Sequence, residues 1–156
     1  MGPLLGSGGH LLGAVPTGAG EGAPQASMKA RDAIQCVWFK RDLRVEDHGP
    51  LAEAAAQGPC FALFIIEPRV VGAPDSDALH WNFQAAALRD LARSLSELGC
   101  PLLIRRGEAC EVLERLRVET GFTHLRSHEE TGTALTFARD RAVRRWADRR
   151  GVVGTE

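Results

Sequence analysis

At 156 residues, 44% hydrophobic and 25% charged, the chain has the size and composition of one ordinary globular domain, with little room for a second core. Its formal net charge of −1 excludes a strong overall electrostatic pull toward nucleic acid. No apolar run approaches the roughly 18 residues of a membrane-spanning helix.

Residues 1–27 hold eight of the 17 glycines and neither Lys nor Arg. Without a basic n-region or arginines they match neither a signal peptide nor a transit peptide. A disordered, Gly-rich extension is expected there, or an upstream reading ahead of a start at Met28. From Met28 onward, β-type and helical patterns alternate. Ile34 to Phe39 predicts a first strand. Leu51 to Gln57 is alanine-rich and helical, with Pro50 suited to a first turn and Asp47 as the expected cap. Phe61 to Ile66 is a continuous apolar run, as in a strand buried on both faces.

A long helix follows over about 77–98, with Leu88, Leu91, Leu95 and Leu98 as its apolar stripe and Gly99 as its stop. Pro101 to Ile104 predicts a third strand. Glu108 to Glu119 predicts a helix with Val112, Leu113 and Leu116 on one side, ended by Gly121. Thr123 to Ser127 predicts a fourth strand. Thr133 to Arg149 predicts a helix with Leu135, Ala138, Ala142 and Trp146 facing inward, and "VVGTE" a fifth strand cut short. The fold class is therefore α/β: a Rossmann-like, doubly wound parallel sheet of about five strands flanked by helices.

Cys36, Cys60, Cys100 and Cys110 form no C-x-x-C pair and no metal-ligand spacing. They are expected to be reduced, small core residues, which implies a cytoplasmic protein. In doubly wound sheets, ligands bind beyond the carboxyl ends of the strands, where strand order reverses. The stretch after the first strand, "VWFKRDLRVEDHGPL", is thus the expected site. It has no glycine before Gly49, which excludes a glycine-rich phosphate cradle. Asp42, Arg44 and Asp47 are expected to pin the turn. Lys40 and Arg41, directly off the strand, are the expected ligand contacts. Glu129 and Glu130 fit two roles equally, as ligand contacts or as acids near a helix N-terminus. The six arginines of residues 139–150 are spread around their helix, which argues for a solvated face rather than a nucleic-acid stripe.

The same stretch resembles the N-terminal signature of the DNA photolyase and cryptochrome family. "FALFIIEPR", the segment from Leu79 to Leu116, and "SHEETGTALTFARDRAVRRW" with Arg139-Asp140 are similar to that family's later elements, in the same order, so the resemblance runs from about Ala33 to the C-terminus. It implies that residues 28–156 form the α/β domain that holds an accessory light-harvesting (antenna) chromophore. The larger helical domain of the family, which binds FAD and docks damaged DNA, has no counterpart in the sequence. This chain alone is accordingly expected to be inactive in light-driven dimer repair, with FAD and DNA belonging to a full-length parent. The implied crevice is bounded by Phe39, Lys40, Arg41 and Asp42 on one side and Glu130, Thr131 and Gly132 on the other. No catalytic residue and no metal site are expected. Folate-binding members carry an Asn-Glu pair where this chain has Leu135 and Thr136, so the resemblance favours a flavin or deazaflavin over a folate. The parent is expected to be a deoxyribodipyrimidine photolyase; a cryptochrome photoreceptor without repair activity, or a free-standing Rossmann-like nucleotide-binding domain, are the alternatives.

Overall fold

A computed structural model of the protein describes residues 32–72, 78–129 and 131–156; the Gly-rich extension and Glu130 lie outside the described residues. Strands and helices alternate as β1 (Gln35–Phe39), α1 (Gly49–Gln57), β2 (Cys60–Ile66), α2 (Pro68–Val71), α3 (Ala78–Glu97), β3 (Leu102–Arg106), α4 (Ala109–Thr120), β4 (His124–Arg126), α5 (Ala134–Arg150) and β5 (Val153–Thr155). All strand pairs are parallel, in the order β3-β2-β1-β4-β5. The chain winds outward from β1 to β3, then crosses over to place β4 and β5 on the other side of β1. The switch point therefore falls between β1 and β4.

Alternation along the central strands splits the core in two. Cys36, Trp38, Phe61, Leu63 and Ile65 face α4 and α5, meeting Val112, Leu113, Leu116, Val143 and Trp146. Val37, Phe39, Ala62 and Phe64 face α1 and α3, meeting Leu51, Ala54, Leu88, Leu91 and Leu95. Successive side chains on a strand point to opposite faces, so a run such as "CFALFII" fills two cores at once. One buried charge fastens α1 to this frame. Arg126 on β4, only 4% exposed, donates from each of its three nitrogens, to Gln35 (2.9 Å), Glu53 (2.8 Å) and Gln57 (2.9 Å).

Three local expectations are corrected. The α1 cap is His48, not Asp47: His48 Nδ1 accepts from the Leu51 amide at 3.1 Å. With Pro50 inside its first turn, the helix starts at Gly49, and the residue just before it does the capping. Asp47 instead takes a left-handed turn conformation, with φ of 50°. On α3, Leu98 leaves the leucine stripe and is 66% exposed, because the helix has ended by then. On α5 the inward face is Thr136, Asp140, Val143, Trp146 and Ala147, while Leu135 and Ala138 are exposed. Apolar periodicity could not predict that face, because two of its members are polar and are held inside by specific partners. Among the described residues, no helix is long and apolar enough to cross a membrane.

Candidate functional site

At the carboxyl ends of β1 and β2 the structure opens into a cavity of about 740 Å³. Its wall is aromatic and cationic. Trp38, Phe39 and Phe64 come from the strands; Trp81, Phe83 and Gln84 come from α3; Arg41 and Arg44 come from the β1 loop; Leu135, Thr136 and Arg139 come from α5. The volume lies inside the roughly 300–1,000 Å³ range of small-molecule sites. A smaller polar cavity of about 290 Å³ lies at the β1/β4 switch point, lined by Lys40, Asp42, His48, His128, Glu129 and Thr131 among others.

Helix length explains the larger cavity. Twenty residues of α3 span about 30 Å, against about 23 Å for the seven of β2. Leu88, Leu91 and Leu95 cover the sheet. One and two turns earlier on the same stripe, Gln84 and Trp81 overhang its end and become cavity wall. The stripe was legible in the sequence; that its upper half faces a cavity was not, because strand length is needed to see where the sheet stops.

The floor is a buried ion network. The Lys40 ammonium, its side chain 5% exposed, lies 2.7 Å from Asp140, 3.3 Å from Glu156 and 3.0 Å from the His128 carbonyl. Arg139 reaches Glu67 at 2.7 Å and Asp140 at 2.9 Å. Lys40 and Arg139 each stand 4.8 Å from the centre of the Trp38 ring. Burial pushes the Glu67 carboxyl above its usual value, and Arg139 beside it pulls back. Arg144 closes the network onto Glu156.

The expected site residues among the described ones fall as follows. Phe39 is buried, stacked on His48 at 4.4 Å, and lines the large cavity with its neighbours Lys40, Arg41 and Asp42. Lys40 holds the network together as well as reaching both cavities. Asp42 pairs with Arg44 at 2.9 Å and sits 3.6 Å from His128. Thr131 lines the smaller cavity, whereas Gly132 lines neither. Glu130 falls outside the described residues. Sequence reasoning did not select Arg44, Glu67, Trp81, Phe83 or Gln84. The signal that was there was the aromatic content of the early α3 stripe. His48 also escaped notice. Burial lowers its pKa to about 4, with the facing His128 ring as the next cause, so at neutral pH it is the uncharged acceptor that the cap requires.

The sequence profile of the DNA photolyase family matches residues 35–156. The chain belongs to this family. It is 37% identical over 111 residues to cryptochrome DASH of Gloeobacter violaceus, covering 67% of this chain and 22% of that protein. The fold is similar to a bacterial class III photolyase from Agrobacterium tumefaciens, with a TM-score of 0.69 at 25% identity over 83% of this chain and 26% of that one. It is also similar to an archaeal photolyase from Sulfolobus tokodaii, solved with two FAD molecules, with a TM-score of 0.70 at 25% identity over 78% of this chain and 28% of that one. The chain thus spans between a fifth and a third of the length of these relatives. The five-stranded parallel sheet is that of the photolyase N-terminal α/β domain.

Within that family setting the cavity can be tested against a planar ring system. Gln84 Oε1, on its wall, is buried and accepts no hydrogen bond among the described residues. An acceptor left in that state is costly unless a donor arrives. Flavin and deazaflavin rings carry an N–H that suits it, and Trp81 and Phe83 offer stacking surface. Thr136, at one of the positions compared with the folate pair, already donates its hydroxyl to the Thr133 carbonyl at 2.9 Å, and Leu135 is apolar. The residues fit a flavin-type ring.

Proposed function

We propose that this chain is the antenna-chromophore-binding unit of a light-driven photolyase, and that its chromophore is a flavin or deazaflavin held in the cavity over β1 and β2. The observation that carries the reading is the aromatic-walled cavity with the buried Gln84 acceptor on its wall, unpaired among the described residues. Trp81 and Phe83 would stack on the ring, Gln84 would orient it, and guanidinium groups at the rim (Arg41, Arg44) would suit an anionic tail. The expected contacts Phe39, Lys40, Arg41 and Asp42 would form the strand-side wall, and Thr131 would face the ligand space from the adjoining smaller cavity. The ion network keeps Trp38 and the ends of β1, β2 and α5 in one geometry, so the wall is rigid before the ligand arrives. Bound there, such a chromophore absorbs light and hands its excitation to a second flavin. In the full-length protein that acceptor would be FAD in the helical domain, which would also engage damaged DNA. The Sulfolobus tokodaii photolyase, with its two FAD molecules and the light-harvesting cofactor its report infers, supports this reading.

A cryptochrome parent is the second reading, supported by the relatives from Gloeobacter violaceus and Gallus gallus that carry that name. The antenna role is the same in both.

The test is a fluorescence titration of the chain with flavin mononucleotide, a deazaflavin and a reduced folate. Saturable binding of one of the first two is expected, weakened about tenfold by Trp81→Ala through lost stacking. Equal affinity of the wild type and Trp81→Ala for all three compounds would overturn the assignment.

A further inference from the structure

The amino ends of the strands, opposite the cavity, carry a feature that light harvesting does not use. Ala62 on β2 stands opposite Leu102 on β3, and the Ala62 amide donates to the Pro101 carbonyl at 2.8 Å. Two residues earlier on each side, the same register brings Cys60 beside Cys100. Both thiols point into the core shared with α1 and α3, and their sulfurs are 3.8 Å apart. Adjacent strands lie about 4.8 Å apart, inside the roughly 4.4–6.8 Å Cα separation that a disulfide tolerates. Cys60 is partly exposed, whereas Cys100 is only 4% exposed. Among the described residues no other sulfur–sulfur contact of this kind is present: Cys36 is fully buried in the core that faces α4 and α5, near enough to Cys100 to feel its charge, and Cys110 lies on α4.

We propose that Cys60 and Cys100 are a redox-modification site, a dithiol that closes into a cross-strand disulfide when it meets a small disulfide oxidant. Cys60, the accessible partner, attacks the oxidant and expels one thiolate. Cys100 then gives up its proton and attacks the Cys60 sulfur, expelling the second. The protein loses two hydrogen atoms, and the oxidant is reduced to two thiols. Burial, with Cys60 beside it, pushes the Cys100 thiol up to about 12, so the closing step quickens as pH rises. The bond would close a loop comprising β2, α2 and α3, the segment that supplies Phe64, Val70, Trp81, Phe83 and Gln84 to the cavity. Oxidation would therefore pin the edge strand β3 and hold one cavity wall against local opening.

The experiment treats the full chain with oxidised glutathione at mildly alkaline pH, then maps it by peptide mass spectrometry. The expected product is a Cys60–Cys100 linkage, reversed by dithiothreitol, with Cys36 and Cys110 unlinked. The oxidised chain should melt roughly 5 °C or more above the reduced one, and Cys60→Ser should abolish both the linkage and the shift. Glutathione retained on Cys60 without a cross-link would overturn the proposal, as would linkages shared among all four cysteines. Flavin titration plays no part in this readout, so the two proposals stand or fall separately.

Discussion

The heptapeptide from Lys40 to Glu46 contains two kinds of charge that look alike as letters. Lys40 is buried, within 2.7 Å of Asp140 and under Trp38. Arg44, four residues on, is 59% exposed and pairs with Asp42, itself 37% exposed. Both are cation–carboxylate pairs of similar length. They differ in solvent, and solvent decides what they contribute. An exposed pair is screened and adds about 0–1 kcal/mol. A buried pair adds little as a pair, but removing one member strands the other in a poorly solvating interior. The first region is a rigid joint between β1, α5 and β5. The second is a solvated turn that borders a cavity.

The widest test of that contrast is Asp140→Ala, which leaves Lys40 buried with Glu156 as its remaining carboxylate. A loss of about 3–5 kcal/mol is expected in urea unfolding, and the double replacement Lys40→Met with Asp140→Leu should recover most of it. If Asp140→Ala unfolds like wild type, the two regions are not different after all.

Between the two regions sits His48, and acid should find it. Its folded pKa of about 4 lies below the ordinary 6.5. Above pH 6.5 both folded and unfolded forms are neutral, and the α1 cap is intact. As pH falls from 6.5 toward 4, the unfolded chain takes up a proton that the folded chain resists, so stability drains away across that window, by roughly 3 kcal/mol at most. The groups facing His48 are His128, Asp42 and Arg44; His128 and Arg44 oppose its protonation, and Asp42 favours it. His48→Asn retains an acceptor at the cap; in thermal melts across that range it should flatten the pH dependence.

The smallest effect belongs to the exposed pair. Arg44→Ala should change stability by no more than about 0.5 kcal/mol, and added salt should not widen the difference. A cost approaching that of Asp140→Ala would mean that the turn, too, is a joint.

Much of the fold was legible because its signals are local. The run "CFALFII" is a doubly buried strand by composition, and the Leu88, Leu91 and Leu95 stripe is a helix by spacing. The edge that carries the cavity was legible as well. A strand that ends in charge at Phe39–Lys40 has to end at the carboxyl edge of the sheet, which is where such folds bind ligands. What was not legible shares one cause. Asp140 and Thr136 face inward because Lys40 and Thr133 meet them there, and a polar residue carries no mark of burial in its own letter. His48 displaces Asp47 as the cap because the helix begins at Gly49, one residue later than a cap at Asp47 would require.

By itself, then, the sequence determined the alternation of strands and helices, the parallel sheet, and the family to which residues 35–156 belong. Hydrophobic period and chain order are properties of neighbours along the chain. Only the tertiary structure decided which charges are buried, that the α3 stripe outruns the sheet to wall a cavity, and that Cys60 lies against Cys100 forty residues away. Those depend on the register between strands and on what burial does to a charge, neither of which exists until the chain has folded.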